Sequence, residues 1–252
     1  MLLAIDAGNT NIVFAVYDGE AQVDTCRMET TGKIPESINE IVKQYPNITD
    51  VIISSVVPKV NEAIEKSCAY LLKLDPVFVT HENAGIEVVT DKPDEVGADR
   101  LVNAVAALND QQAPIVIVDF GTATTFDVVD EKGRYAGGVI SPGINLSMQA
   151  LHQAAAKLPD VAVEKPKNVI GKNTIDAMQS GIYWGYIGLI EGTLKRIADE
   201  MGATPKVIAT GGLAPLFETG TQMIKNVDQE LTMKGLVQIH NQLSQSEGRM
   251  SA

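Results

Sequence analysis

Two aspartates, about half the chain apart, each end an apolar segment and precede a glycine by two positions. They lie in Asp6-Ala-Gly-Asn-Thr10 and in Asp119-Phe-Gly-Thr122. A nucleotide triphosphate needs amide donors, a divalent cation and a carboxylate that orients this cation or its waters. Either segment alone is explained as an ordinary turn, because Asp and Gly are common turn residues. The repetition of both residues predicts a phosphate site built from two related hairpins.

The residues around the two aspartates predict an internal duplication. Each aspartate stands between two apolar segments, which is the pattern of a β-hairpin whose glycine permits the tight turn. Matched at one fixed offset, the equivalent positions are Asp6 with Asp119, Gly8 with Gly121, Val16 with Val129, and Asp18 with Glu131.

Short polar residues in both hairpins are candidates to contact phosphates. The first hairpin offers backbone N–H groups and small polar side chains, and the second offers hydroxyls; these residues are Gly8, Asn9, Thr10, Asn11, Thr122 and Thr124. Thr210-Gly-Gly-Leu-Ala214 follows an apolar strand and is a weaker candidate for contact with adenine or ribose, since Gly-Gly after a strand is commonly a plain turn. The P-loop, dinucleotide-binding and protein-kinase patterns do not occur in the sequence.

Gly97-Ala-Asp99-Arg100 precedes an apolar helix and has two interpretations. A carboxylate in the first turn of a helix is favoured by the helix dipole by about 0.3–1 kcal/mol, so Asp99 could be a capping residue and Arg100 a surface cation. Alternatively, Asp99 accepts the proton of a substrate hydroxyl while Arg100 holds substrate or phosphate charge. Physical chemistry alone favours the cap.

Strands alternate with helices on both sides of the second aspartate, which predicts an α/β fold with helical crossovers. Two such units with equivalent leading hairpins predict two domains that face each other across a cleft. We expect an N-terminal domain over residues 1–112, a C-terminal domain over residues 113–245 and a flexible tail over residues 246–252.

The composition excludes several classes of partner. The chain has 252 residues and a formal net charge of −12, which argues against nucleic acid or an anionic membrane surface. No apolar run approaches the ~18 residues of a membrane span, and no signal peptide is recognisable. The two cysteines, Cys26 and Cys68, are expected to be buried thiols in a reducing cytoplasm. The three histidines lie far apart, so a structural zinc site is not expected.

Five ordered motifs resemble those of the type III pantothenate kinases: DAGNTNIV, EVGADRLVNAVAA, VDFGTATTFDVV, GGVISPGI and IATGGLA. The resemblance runs from Met1 to about Asn241. That family belongs to the superfamily of actin, sugar kinases and heat-shock chaperones. It implies two duplicated actin-like (ribonuclease H-like) domains facing an interdomain nucleotide cleft.

The resemblance also implies an activity. This is the ATP-dependent phosphorylation of pantothenate to 4'-phosphopantothenate, with an alcohol group as acceptor, which is the first step of coenzyme A biosynthesis. It implies a requirement for magnesium and for a monovalent cation, potassium or ammonium. It further implies a homodimer with the substrate near the interface.

Site residues follow from the resemblance motif by motif. Asp99 resembles the catalytic proton acceptor, and Asp119 resembles the ligand of the monovalent cation. Asp6 is a candidate to hold magnesium through a water. The residues implied to contact ATP are Asp6, Ala7, Gly8, Asn9, Thr10, Asn11, Ile12, Val13 and Thr122. Those implied to contact pantothenate are Thr90, Gly97, Ala98, Asp99, Arg100 and Thr174.

Three features leave alternatives open. Many family members carry a tyrosine where this chain has Thr90, so the wall of the substrate pocket is expected to differ. Thr174 is either a substrate contact, from its own or the partner subunit, or a plain N-cap. Four glycines at helical spacing either pack inside the subunit or form a dimer seam; they are Gly181, Gly185, Gly188 and Gly192.

Two other functions within the superfamily compete with the kinase. One is a phosphohydrolase that cleaves polyphosphate or nucleotide phosphates, and the other is a nucleotide-dependent switch without turnover. Neither requires the Gly97–Arg100 segment beside the hairpins, which therefore favours the kinase.

Overall fold

The computed structural model describes the backbone of residues 1–154 and 158–250, with the side chains of residues 1–154 and 158–246. In this part of the chain, ten strands and seven α-helices are found. The strands are β1 (Leu2–Ala7), β2 (Asn11–Asp18), β3 (Ala21–Glu29), β4 (Asp50–Ser55), β5 (Val77–Phe78), β6 (Ile115–Phe120), β7 (Ala123–Val129), β8 (Tyr135–Pro142), β9 (Lys206–Thr210) and β10 (Asn226–Val227). The helices are α1 (Ile34–Gln44), α2 (Pro58–Leu71), α3 (Ala98–Asp110), α4 (Ile144–Ala154), α5 (Thr174–Met201), α6 (Ala214–Glu218) and α7 (Leu231–Met250).

The chain forms two compact units with the same sheet topology. Residues 1–110 and the segment from Glu230 onward form the first unit, and Gln111–Gln229 forms the second. The strand order is β3-β2-β1-β4-β5 in the first unit and β8-β7-β6-β9-β10 in the second. In both, the leading strand pairs antiparallel with the next strand and parallel with the fourth. The predicted duplication of an α/β domain is therefore confirmed.

The two leading hairpins differ by one residue, which corrects part of the fixed-offset match. Ala7 pairs with Ile12, so residues 8–11 lie between them. Phe120 pairs with Thr124, so only residues 121–123 lie between them. The match of Asp6 with Asp119 holds, but beyond the turn each equivalence shifts by one position. The structural counterpart of Val16 is accordingly Val128, because the second turn is shorter.

The first sheet is covered by helices on both faces. Alternate β1 residues such as Leu3 and Ile5 are fully buried in one core with Ile38 of α1 and Ile64 of α2. The opposite face of β1 and β4 contacts α3 and α7. Burying a side chain of this size stabilises the fold by about 1.5–3 kcal/mol. Asp6 shares the second face with Leu2 and Ala4, because side chains alternate along a strand.

The second sheet packs its core face mainly against α5. Val116, Val118 and Phe120 are buried in a core that also contains Tyr183. Phe217 joins this core by stacking on Phe120, with ring centroids 5.2 Å apart, and on Tyr183, with centroids 5.5 Å apart. The alternate residues Ile117 and Asp119 therefore face the other side of the sheet.

The C-terminal helix belongs to the first unit, although the sequence assigned residues 113–245 to the second domain. Thr232 donates to Oδ1 of Asn103 on α3 over 2.8 Å. Gly235 lies so close to Val102 that an added Cβ would overlap its carbonyl oxygen. The predicted tail over residues 246–252 is helical as far as Met250, and its last two residues lie outside the described part.

The remaining elements differ little from expectation, apart from one cysteine. Cys68 is buried as predicted, but Cys26 is exposed because it lies on β3, the edge strand of its sheet. Burial, followed by the charges of Asp24 and Glu40, still raises the pKa of the Cys26 thiol. None of the described helices combines the length and the apolar character needed to cross a membrane.

Candidate functional site

The first hairpin turns through an exposed pair of residues, Asn9 and Thr10. The Gly8 N–H donates to the Asn11 carbonyl over 2.9 Å and closes the turn. The Gly8 N–H is therefore hydrogen-bonded within the hairpin, whereas the sequence predicted that it would contact phosphate. A Cβ on Gly8 would lie 3.2 Å from the Asn11 oxygen, which is why a glycine fits here.

Asp6 lies at the end of β1, in register with Ser54 on β4 and Val13 on β2. Burial and, secondly, the negative charge of Asp99 raise the pKa of the Asp6 carboxyl to about 6. The nearby Ser54 hydroxyl, as a hydrogen-bond donor, and the charge of Arg27 act in the opposite direction. Two carboxylates separated by most of a domain's sequence are thus neighbours in space.

Asp99 lies in the first turn of α3, where both of its interpretations are compatible with the geometry. Its Oδ1 accepts the Arg100 N–H over 2.8 Å, as a carboxylate near a helix N-terminus does. Burial raises the pKa of the Asp99 carboxyl, against the lowering effect of the Arg100 N–H and of the Arg100 charge. A carboxylate with a raised pKa next to a second carboxylate is suited to accept a proton.

Gly97 allows the Asp99 carboxylate to lie against the backbone. A Cβ at this position would be 2.6 Å from Oδ1 of Asp99 and 3.3 Å from Cγ1 of Val56. Any larger residue would therefore displace the carboxylate. The glycine of Gly97-Ala-Asp99-Arg100 is explained by this contact and not by a positive φ angle.

Thr90 precedes the 3-10 turn Pro93–Glu95 that leads into Gly97. Within the described part of the chain, its Oγ1 is buried without a hydrogen-bond partner. A buried hydroxyl without a partner costs about 1–3 kcal/mol. The position at which the chain departs from its family thus carries an unsatisfied polar atom.

In the second unit, Asp119 lies against the junction between β9 and α6. Asp119 pairs with Thr210 across the parallel strands β6 and β9. Gly211 has a φ of +88°, and a Cβ there would lie 2.7 Å from Oδ1 of Asp119 and 2.7 Å from the carbonyl oxygen of Phe120. The first glycine of the Gly-Gly pair is therefore required by backbone conformation and by close approach.

Thr122 occupies the turn of the second hairpin and is exposed. Its carbonyl is in contact with Gly143, where no side chain would fit. Thr124 is fully buried, so its hydroxyl is not presented at the surface as the sequence had suggested. Gly143 belongs to the GGVISPGI motif, but the sequence alone did not predict this contact. The available signal was the Pro-Gly pair directly after a strand.

A buried carboxylate network next to Asp119 was not anticipated. Asp127 on β7 is fully buried, and it accepts hydrogen bonds from Thr125 and from Tyr135, each over 2.8 Å. Thr125 is the cross-strand partner of Asp119. An aspartate inside an apolar strand, in Thr-Phe-Asp-Val-Val, was the available sign.

Thr174 is not the N-cap of α5. That position is held by Asn173, whose side chain accepts the Asp176 N–H over 2.9 Å. Thr174 is the first helical residue and is exposed. The capping alternative is wrong for Thr174, and the substrate contact stays a prediction.

The glycine row on α5 faces outward. Gly181, Gly185 and Gly188 are exposed, and a Cβ on any of them would meet nothing within 4 Å. Packing inside the subunit, the simpler expectation from sequence, therefore does not explain the row among the described residues.

Comparison with known proteins resolves the family. The family model described as type III pantothenate kinase matches residues 2–196. This chain belongs to that family. A type III pantothenate kinase of Paramagnetospirillum magneticum is 50% identical, with 97% of this chain and 98% of the relative covered. Another from Rhodospirillum rubrum is 51% identical, covering 95% and 98% respectively.

Solved structures show the fold of the family independently of sequence. A Baf family protein from Campylobacter jejuni is similar with a TM-score of 0.64 at 19% identity, covering 96% of this chain and 99% of that one. MreB5 of Spiroplasma citri, solved with ADP, has a TM-score of 0.56 at 10% identity, with 98% of both chains covered. Together with the two equivalent sheets, these similarities confirm the expected pair of actin-like domains.

The donor atoms can be compared with the metal ions expected for a type III pantothenate kinase. Among the residues described, no group of three or more His, Cys, Asp or Glu side chains could hold a metal ion. Magnesium commonly keeps several waters and is held through one or two carboxylates and phosphate oxygens, so a single carboxylate such as that of Asp6 is compatible with this ion. Asp119 Oδ1 and the Phe120 carbonyl oxygen both lie close to Gly211.

Proposed function

We propose that this chain is an ATP-dependent pantothenate kinase. It transfers the γ-phosphoryl group of ATP to the primary hydroxyl of pantothenate and forms 4'-phosphopantothenate, the first step of coenzyme A biosynthesis. The observation that carries this proposal is the pairing of Asp99 with Asp6 beside the phosphate hairpin, in a chain of the type III pantothenate kinase family. We place the reaction in the cytoplasm, in keeping with two free cysteines.

Asp99 is the proton acceptor in this proposal. Its raised pKa lets the Asp99 carboxylate take the hydroxyl proton of pantothenate. The N-terminus of α3 stabilises negative charge next to it. Asp6 would hold magnesium, and the ion when bound would neutralise negative charge on the phosphates of ATP. Gly97 keeps the Asp99 carboxylate against the backbone during this step.

The substrate contacts extend from Asp99 along the same segment. Arg100 offers a cation to the pantothenate carboxylate or to phosphate, and Gly97 and Ala98 offer backbone. Thr90 offers its buried hydroxyl as a hydrogen-bond partner. Thr174, exposed at the start of α5, is the remaining contact, from its own or the partner subunit.

In the first unit, the proposed ATP contacts are the residues of the phosphate loop, Asp6 to Val13. In the second unit, the turn residue Thr122 is the proposed contact, and Asp119 would hold potassium or ammonium. Gly211 and Gly212 lie at the end of β9, where adenine or ribose can approach the backbone.

A coupled kinase assay tests the proposed function. Purified protein with magnesium and potassium should convert ATP and pantothenate to ADP and 4'-phosphopantothenate, and the rate should fall when potassium is replaced by sodium. Absence of phosphoryl transfer to pantothenate under these conditions contradicts the proposal.

Substitution of the base gives a sharper test. Asp99→Asn should lower kcat by a factor of about 10² to 10⁴, the usual contribution of a positioned base. Its melting temperature should not fall, because burial raises the pKa of the Asp99 carboxyl and so disfavours the charged form. Asp94→Asn, in the neighbouring 3-10 turn and exposed, is the matched control. Activity close to wild type in Asp99→Asn removes Asp99 from the base role.

We further propose a homodimer that uses the outer face of α5. The support is the row of exposed glycines, which permits another helix to approach closely. Ile175, at the start of the same helix, is 48% exposed although it is large and apolar.

A further inference from the structure

The residue directly after β3 makes two hydrogen bonds to the phosphate loop. Thr30, directly after β3, donates from Oγ1 to the Gly8 carbonyl over 2.6 Å. Its backbone N–H donates to the Thr10 carbonyl over 3.0 Å. One residue, 22 positions from Gly8, thus engages two of the carbonyl groups in a turn of four residues.

The third carbonyl of this turn is also engaged. Asn11 accepts the Gly8 N–H over 2.9 Å. Carbonyl oxygens carry partial negative charge, so a loop that binds phosphate must keep them away from the ligand. In this loop, Thr30 donates to the Gly8 and Thr10 carbonyls, and the Gly8 N–H donates to the Asn11 carbonyl.

Peptide geometry converts these contacts into an orientation of the amides. In a trans peptide, the C=O and the N–H of one unit lie in one plane and point in opposite directions. Holding the Gly8 carbonyl towards Thr30 therefore points the Asn9 N–H away from Thr30. By the same geometry, holding the Thr10 carbonyl points the Asn11 N–H away from it.

Thr30 is itself held in place by a local turn. The Gly32 N–H donates to the Glu29 carbonyl over 2.8 Å, and Glu29 is the cross-strand partner of Asn11. A Cβ on Gly32 would lie 2.9 Å from the Glu29 oxygen, so the turn is compact. The position of Thr30 is thus also fixed by the turn that follows β3.

We propose that Thr30 is a positioning residue of the phosphate site, which fixes the loop so that amides and not carbonyls face the phosphates of ATP. This inference rests on the proposed function for the identity of the ligand. Preorganised donors of this kind lower the entropy that a flexible loop loses when it binds. Loss of the hydroxyl should therefore weaken nucleotide binding more than it weakens substrate binding.

Thr30→Val tests the proposal, because it removes the hydroxyl and keeps the shape and the backbone N–H. We expect the Kd of the magnesium complex of a non-hydrolysable ATP analogue to rise about 5- to 10-fold, the range of one side-chain hydrogen bond. The KM for ATP should rise in parallel while the KM for pantothenate is unchanged. Thr30→Ser should restore both values.

The control is Thr25→Val, the same change at an exposed position of β3, the strand that precedes Thr30. If Thr30→Val matches wild type in nucleotide affinity, or if Thr30→Ser fails to restore the affinity, the positioning role is overturned. An equal rise of both KM values also overturns it, since this would indicate general damage to the fold. Direct nucleotide binding decides the matter even if wild type fails to phosphorylate pantothenate, and that failure would overturn only the proposed function.

Discussion

The carboxylates of Asp6 and Asp99 both lie in the first unit, and the negative charge of Asp99 raises the pKa of the Asp6 carboxyl. Burial is the main cause of both raised pKa values, and their mutual repulsion adds to that of Asp6. Such an arrangement is unfavourable in the ligand-free protein and becomes favourable when magnesium and ATP bring positive charge and hydrogen bonds. A site that stores unfavourable charge in this way is a common mark of function.

The charge on Asp6 should consequently lower the free energy of unfolding of the ligand-free protein at neutral pH. The folded-state pKa of Asp6, about 6, lies above the usual aspartate value of 3.8, so the stability contribution of the protonated carboxyl is fully present below about pH 4 and is lost as the pH rises through 6. Asp6→Asn should raise the free energy of unfolding at pH 8 by up to about 3 kcal/mol, and by less at pH 5.5.

Urea unfolding of the ligand-free protein at both pH values measures this difference. Asp18→Asn, at the exposed end of β2, is the matched control. Equal stability of wild type and Asp6→Asn at pH 8 would show that the carboxylate is not under electrostatic stress.

Thr90 gives a second prediction at this scale. Thr90→Val removes a buried hydroxyl that has no partner among the described residues, so stability should be unchanged or raised by about 1 kcal/mol. If pantothenate supplies the missing partner, its KM should rise several-fold while the KM for ATP stays constant. Thr90→Ser, which keeps the hydroxyl, is the control, and an unchanged KM for pantothenate in Thr90→Val excludes the contact.

At the scale of elements, glycines let neighbouring segments reach the Asp119 carboxylate and its hairpin. Gly211 brings the end of β9 against β6, and Gly143 brings the start of α4 against the Thr122 carbonyl. The two glycines come from different crossover connections, yet both meet the same hairpin. The second hairpin is therefore braced from two sides within its own unit.

Gly211→Ala should break this arrangement. The positive φ and the backbone atoms within 2.7 Å leave no room for a Cβ. The free energy of unfolding should therefore fall by about 2 kcal/mol or more, and the melting temperature should fall with it. Potassium activation should weaken as well. Gly212→Ala is the matched control, because a Cβ there meets nothing within 4 Å; a similar loss in both variants would contradict the explanation.

Sequence patterns predicted these elements well where apolar residues dominate. The two hairpins expected around Asp6 and Asp119 are formed by β1 with β2 and by β6 with β7. Apolar periodicity does not report the length of a turn, so the shorter second hairpin shifted the match beyond Gly121. Pairings such as Asp6 with Asp99, or Thr30 with Gly8, depend on tertiary contacts and could not be read from spacing. The role of Asp99 itself came from family resemblance, since physics alone favoured a cap.

At the scale of the whole molecule, a helix of 28 residues carries three glycines towards the outside. Glycine costs about 1 kcal/mol in a helix relative to alanine. Among the described residues, no close packing neighbour at Gly181, Gly185 or Gly188 offsets this cost, since a Cβ there would meet nothing within 4 Å. A second copy of the chain is the partner that we propose for this face.

Gly185→Glu tests the dimer. A buried charge at a close helix contact should convert the dimer to a monomer, as measured by light scattering, whereas the isolated fold should tolerate the change because a Cβ meets no neighbour. Lys195→Glu, exposed on the same helix, is the control. A monomeric wild type, or a Gly185→Glu protein that remains dimeric, contradicts the proposed face.

The return of α7 to the first unit has a consequence for synthesis. The second unit is one continuous segment, Gln111–Gln229, and can fold as soon as it leaves the ribosome. The first unit lacks α7, one of the two helices on the Asp6 face of its sheet, until residues from Glu230 onward emerge. Although most of it is made first, the unit that carries Asp6 and Asp99 is therefore completed after the second unit.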